Sequence, residues 1–226
     1  MKRVVLYSAS FGGHDEPPEV WDADCDLVLF TDNPKLRRET WKIVQRHRQS
    51  YPDPSKTARS ARMRAKYYKL TSVRQFHRKY QYSVWIDSAF WVHHGKGFVD
   101  HCLSHMKNGI AFYPHPAEFR SLEQEVSYAL AMPKYDGEPL VGQVRHYRRE
   151  GFEGGRLLCG GVIAREHTAS IRALEEAWYN ECERWTSQDQ LSLPYVLKQQ
   201  GITPGLIPGD IYSNPYLYHL WSGTQR

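Results

Sequence analysis

Three aspartates stand where a carboxylate could do chemistry. Asp32 and Asp87 each follow a short hydrophobic run, and Asp189 opens a helical pattern. Carboxylates so placed can hold a divalent metal, grip a ribose or polarise a hydroxyl; the plainer role for each is turn former or helix cap. Their natural counterpart is a basic segment. Residues 33–80 hold fifteen Lys and Arg against two acids, Glu39 and Asp53, in a chain whose net charge is only +5. Such a segment suits phosphate, and a nucleotide diphosphate, a nucleic acid and an acidic polymer all qualify; a solvated helix surface is the bland alternative. Magnesium or manganese bridging diphosphate oxygens, with Arg62 and Lys66 absorbing charge on a leaving group, is coherent chemistry for these residue types.

Other chemistries lack their signals. No Walker sequence or G-x-G-x-x-G fingerprint occurs, nor a G-x-S-x-G elbow or an H-E-x-x-H pair. Cys25, Cys102, Cys159 and Cys182 lie far apart and read as buried free thiols. His93 and His94 are adjacent, which in a strand would put them on opposite faces and disfavours a shared ion; a loop pair exposed to solvent is the plainer reading. With 226 residues and 41% hydrophobic content the chain suits one domain with a real core. No stretch approaches the roughly 20 apolar residues that cross a bilayer, and the N-terminal apolar run is too short for a signal peptide. A cytoplasmic protein without membrane insertion is expected.

The elements that must position these groups alternate. Strands are expected at residues 4–7, 26–31, 41–44, 83–86, 90–92, 109–113 and 157–164, short and apolar as in a mostly parallel sheet covered on both faces. A glycine-bearing loop, residues 8–13, follows the first. One long helix is expected over residues 56–80, capped by Ser55, with Arg59, Arg62, Lys66 and Lys69 on one face. Further helices are expected at residues 121–132, from Leu140 to Arg149, and at 169–183. Thr186 or Ser187 should cap the next helix, with Asp189 or Gln190 completing a capping box. Gly160 and Gly161 interrupt an apolar run, either as a bulge or where a backbone or ligand comes close. The fold class is α/β.

Several segments taken together resemble a known family. They are Leu-Tyr-Ser-Ala-Ser-Phe-Gly-Gly-His-Asp at 6–15, Val-Leu-Phe-Thr-Asp-Asn-Pro at 28–34, Arg62 to Lys66, Ser-Val-Trp-Ile-Asp at 83–87 and Ser-Gln-Asp-Gln-Leu-Ser at 187–192. In this order they are similar to GT-A glycosyltransferase domains of a family formerly of unknown function, found in bacterial glycan loci and plant wall polysaccharide enzymes. A looser similarity extends to glycogenin-like retaining transferases. The resemblance runs over about residues 3–200.

It implies one GT-A, Rossmann-like domain over 1–226, with a mixed, mostly parallel central sheet flanked by helices and a tail, 201–226, closing over the donor site. The donor would be a nucleotide-sugar, by default a UDP-sugar. Tyr7, Ser8, Ala9 and Phe11 would meet base and ribose, with Asp32 at the pocket edge and Arg62 and Lys66 over the diphosphate. Gly160, Gly161 and His115 would line the acceptor and sugar side, and Asp189 and Gln190 would form the catalytic pair beside the transferred sugar. Asp87 matches the first acid of a metal-binding Asp-x-Asp motif, and His219 a late metal ligand, so Mn2+ or Mg2+ is implied. The motif is incomplete here, because Ser88 and Ala89 follow Asp87. The looser relatives favour retention over inversion. A glycan acceptor is expected. The alternatives are a nucleic-acid acceptor, tracked by the basic segment and stacked on Tyr67, Tyr68 and Phe76, a protein acceptor, or a non-catalytic carbohydrate-binding protein. Exposed aromatics in the tail suggest a homodimer.

Overall fold

The computed structural model describes residues 3–13, 16–47 and 59–219. Its strands are β1 (Val4–Ser10), β2 (Asp26–Thr31), β3 (Lys42–Gln45), β4 (Tyr82–Ile86), β5 (Phe90–Val92), β6 (Ile110–Pro114), β7 (Leu158–Glu166), β8 (Gly205–Leu206) and β9 (Leu217–His219). Its helices are α1 (Arg59–Lys69), α2 (Ser72–Phe76), α3 (Gly95–Ser104), α4 (Leu122–Leu130), α5 (Leu140–Arg149), α6 (Ala169–Arg184) and α7 (Asp189–Gln199), with one 3-10 turn at Pro133–Tyr135.

Seven strands form one sheet in the order β3-β2-β1-β4-β7-β6-β8. The first four are mutually parallel; β7 runs antiparallel to both β4 and β6, and β8 joins β6 in parallel. The sheet is therefore mixed and mostly parallel, as the GT-A resemblance implied. Alternation along the strands sends Val5, Tyr7, Val28 and Phe30 to a core under α1, α2, α6 and α7. Leu6, Leu29, Val84 and Ile86 point to the opposite core, shared with Phe98 and Cys102 of α3. A third cluster joins α4, α5 and the 3-10 turn through Leu122, Val126, Leu140 and Tyr147. The tail supplies β8 at the sheet edge and β9, which pairs with β5.

Three expectations are corrected. The long helix over 56–80 is two helices, α1 and α2, broken at Leu70 and Thr71; residues 55–58, with the expected Ser55 cap, lie outside the described residues. The break has a tertiary cause. Glu175 of α6 accepts from the backbone N–H groups of Ser72 and Val73 at 3.0 and 2.9 Å, which caps α2 from about a hundred residues away. Second, α3 has no counterpart among the expected elements. Its Gly95 lies where a Cβ would fall 2.9 Å from Ala23 and the Trp21 carbonyl, so a close backbone approach hides a helix behind a residue that weakens helical patterns. His93 and His94, between β5 and α3, are the exposed loop pair that the sequence suggested. Third, the N-cap of α7 is Gln188, without a side-chain cap bond, and Ser187 turns instead to Glu138.

Beneath the break lies a buried polar network. Glu175 is ion-paired with the fully buried Arg165 of β7 at 3.1 Å. Arg165 also donates to the Tyr7 hydroxyl at 3.0 Å, and Tyr7 donates to the Lys69 carbonyl at 3.1 Å. Burial pushes the Glu175 carboxyl up while Arg165 and the bonds from Ser72 and Val73 oppose that rise. Removing one member strands a charge in the core. Arg165→Ala is expected to lower unfolding free energy by about 3–5 kcal/mol in denaturant titration; a loss under about 1 kcal/mol would show that the network does not hold the α1–α2 junction.

Candidate functional site

The acids and bases singled out in the sequence converge at the C-terminal ends of β1 and β4, the edge where open α/β sheets gather ligands. Asp87 continues the ladder one residue past β4, its N–H donating to the Gly161 carbonyl at 2.8 Å. Its Oδ1 accepts from Trp85 Nε1 at 2.6 Å and lies 3.3 Å from Lys69 Nζ. The same ammonium reaches Asp189 Oδ2 at 2.8 Å, while Lys66 Nζ meets Asp189 Oδ1 at 2.8 Å. Asp189 and Lys69 are both almost completely buried, with side chains 4% and 3% exposed, whereas Asp87 remains 38% exposed. Lys69 is thus a shared cation between an inner and an outer carboxylate.

Burial alone would raise the Asp189 pKa, but the Lys66 and Lys69 ammoniums outweigh it and hold the carboxyl well below its usual range. Against burial, which lowers it, the Asp189 and then the Asp87 carboxylates raise the Lys66 pKa. Asp189 therefore stays ionised at any ordinary pH.

Gly160 and Gly161 explain the close fit. A Cβ on Gly160 would sit 3.1 Å from Lys69 Nζ and 3.3 Å from Asp189 Oδ2, and one on Gly161 would sit 3.0 Å from Phe90 and Ile211. The register between β6 and β7 also shifts here. The bulge reading of the glycines holds, and what comes close to them is side chains rather than a backbone. Gly160 N–H donates to Gln190 Oε1 at 3.2 Å, and Gln190 Nε2 donates to Glu125 Oε1 at 3.1 Å. Glu125 is fully buried; it also accepts from Gln188 Nε2, and its Oε2 lies 3.1 Å from His115 Nε2. His115 and Gln190 are thereby joined through one buried carboxylate.

Other expected site residues lie in supporting positions. Tyr7 is wholly buried, its ring against Phe76 and Trp85 and its hydroxyl in the Arg165 network. Ser8 donates to the Ile86 carbonyl at 2.7 Å, tying β1 to β4 just before Asp87. Ala9 is buried, and Phe11 stacks on Tyr68. Asp32 is fully buried and accepts the Gly12 N–H on both oxygens at 3.1 and 3.0 Å; Gly12 has φ +79°, so the loop after β1 turns through a conformation natural to glycine. Burial raises the Asp32 pKa, against the opposing Gly12 bond and Arg64 charge. Arg62 is engaged by Glu138 at 2.6 Å and by Ser187 Oγ at 3.0 Å. His219, on β9, packs its ring against Phe90 and Tyr212, and burial lowers its pKa.

Asp87 and His219 are the ligands that the resemblance implies for a divalent ion. Among the described residues no three His, Cys, Asp or Glu side chains converge on one point. The gap between Asp87 and Asp189 does not suit a divalent ion, since an ammonium fills it. Of the three aromatics expected to stack on nucleic-acid bases, Tyr68 and Phe76 are buried in the core and Tyr67 is half-buried.

Lys69 was visible in the sequence only as one of four basic residues on a helix face, and its three-residue step from Lys66 is the signal that pairs them. Glu125, Glu138 and Lys134 gave no local signal. Burial and then the Lys66 charge lower the Lys134 pKa, with Asp87 and Asp189 acting in the opposite sense, so it belongs to the same electrostatic cluster.

A depressed carboxyl pKa adds stability that is fully present above the unfolded value of about 3.9 and is lost as pH falls toward the folded value. Asp189→Asn removes that term. Denaturation between about pH 6 and about pH 3 should show the stability gap between wild type and Asp189→Asn narrowing as pH falls; a constant gap would contradict the ion-paired state of Asp189.

Comparison with known proteins agrees with this architecture. A family model described as the TOD1/MUCI70 glycosyltransferase-like domain matches residues 31–204. The chain is 30% identical over 167 residues to a probable hexosyltransferase MUCI70 of Arabidopsis thaliana, an alignment covering 69% of this chain and 27% of that protein. With its GT-A-like sheet and with Asp87, Asp189 and Gln190 inside the matched region, the chain belongs to the TOD1/MUCI70 glycosyltransferase-like family.

Proposed function

We propose that the chain transfers a hexosyl group from a nucleotide-diphosphate donor, with UDP as the carrier, to a hydroxyl of a glycan. The observation that carries this reading is the ionised, buried Asp189 beside Gln190 and Asp87 at the ligand-binding edge of the sheet. The loop after β1, pinned by Asp32, offers backbone to the base and ribose, and Phe11 and Ser8 hold that loop in place. In the transfer, the bond between the anomeric carbon and the diphosphate oxygen breaks and its electron pair leaves with the diphosphate. The acceptor oxygen forms the new bond, and its proton passes to the departing phosphate oxygen.

The state of Asp189 bears on stereochemistry. A general base works best with a pKa near the working pH, and a carboxyl held well below its usual range by two ammoniums is a poor proton acceptor. A permanent negative charge beside the anomeric centre instead stabilises positive character there. That supports retention, with Gln190 positioned by Gly160 and Glu125 as a further polar contact to the sugar. On the acceptor side, His115, Phe119, Arg120 and Arg156 line a cavity of about 430 Å³ connected to Gln190 through Glu125. Its mixed lining, with Glu118 beside the aromatic and basic groups, suits a hydroxyl-rich acceptor. The tail over residues 201–219 supplies Ile211 and Tyr212 near β5 and Gly161, consistent with closure around the donor. No helix among the described residues is long and apolar enough to cross a membrane.

Incubation with UDP-hexoses should release UDP, and Asp189→Asn should lower turnover by about a hundredfold or more with UDP binding retained. NMR of the product should show the donor's anomeric configuration kept. Undiminished turnover in Asp189→Asn would refute its catalytic role, and an inverted product would refute retention.

A further inference from the structure

Diphosphate transfer needs positive charge at the leaving group, and a divalent cation is one common source of it. Here the two acids that approach one another at the site already have a cation between them. Lys69 Nζ lies 3.3 Å from Asp87 and 2.8 Å from Asp189, and Lys66 neutralises the other oxygen of Asp189 at 2.8 Å. The Lys69 side chain also lies over the Trp85 ring at 5.7 Å. Its backbone is fixed as firmly, through the Tyr7 hydroxyl on its carbonyl, so this ammonium is held in place before any ligand arrives.

The surrounding charges are unbalanced toward the cation. Arg62 is matched by Glu138, and Lys66 and Lys69 by Asp189 and Asp87. Lys134, on the exposed 3-10 turn, stands over the Tyr135 ring at 5.0 Å with no carboxylate at ion-pair distance among the described residues. The Arg62 guanidinium lies over the same ring at 5.6 Å, so the two cations are neighbours. Lys66 and Arg62 repel Lys134 while Asp87 and Asp189 attract it. With Arg59 also reaching Glu138 at 3.7 Å, five cations stand against three acids, an excess of positive charge that an anion relieves.

On the reading that the chain is a nucleotide-sugar transferase, we infer that Lys69, Lys66 and Lys134 together take the place of a divalent metal, binding the donor diphosphate and receiving its developing charge. When the anomeric bond breaks, the electron pair goes to the terminal phosphate oxygen, which the Lys69 and Lys134 ammoniums stabilise by hydrogen bonding without giving up a proton. Asp87 and Asp189 then serve to orient Lys69, and Asp87, the more exposed acid, gives way to phosphate.

Calorimetric titration with UDP, in EDTA and in manganese, tests this. Wild type should bind with the same affinity in both buffers. Lys134→Ala, a change on an exposed turn that leaves the core intact, should weaken binding in EDTA by about tenfold. Lys69→Ala should weaken it by at least as much and recover in manganese, because removing the ammonium leaves two carboxylates facing one gap. That recovery also shows the variant is folded. Wild-type binding that requires manganese overturns the lysine assignment and leaves the transferase reading intact, as does unchanged affinity in both variants. No UDP binding in either buffer overturns both.

Discussion

The geometry of this molecule depends on a buried guanidinium. Arg165 sits in the middle of the sheet without solvent access, and a charge there is tolerable only if its partners are fixed. Those partners are Glu175 and the Tyr7 hydroxyl. Glu175 in turn captures the first amides of α2, and Tyr7 takes the last carbonyl of α1. One buried charge thus stops one helix, starts the next and decides that α1 ends at Lys69.

That ending matters because Lys69 is the hinge of the site. The last ammonium of α1 lies between Asp87, just past β4, and Asp189 of α7. The absence of side chains at Gly160 and Gly161 lets the three meet, since a Cβ on Gly160 would press on both Lys69 and Asp189. The core network and the candidate site are therefore consecutive parts of one structure. Stability in the first sets the position of charge in the second.

A parallel chain of contacts runs on the other side of β7. Gln190 and Gln188 both donate to Glu125, which faces His115 and the cavity beyond it. A buried carboxylate with two amides donating to one oxygen and an imidazole 3.1 Å from the other is a connector with little freedom. It fixes the amide of Gln190 beside Gly160, so an occupant of the cavity and a sugar near Asp189 would share one positioning element.

Much of this was legible in the sequence. Short continuous apolar runs gave the parallel strands, because strands buried on both faces have no polar side to show, and the segments around Tyr7, Asp32, Asp87 and Asp189 carried the family resemblance. Residue type and local spacing also brought Asp87, Lys66 and Asp189 forward as chemistry-bearing groups, and the family resemblance added Gln190. What pattern alone misjudged was whatever a distant partner decides. The helix over 56–80 reads as continuous because nothing in its own residues shows that Glu175 will cap it midway. Nor does anything in the residues around Arg62 and Tyr7 show that Glu138 will pair with the one and Arg165 will donate to the hydroxyl of the other. Local sequence determines periodicity and propensity, which are properties of neighbours along the chain. The pairing of buried charges is a property of neighbours in space, so only the tertiary structure could decide that the cation between the two acids is Lys69.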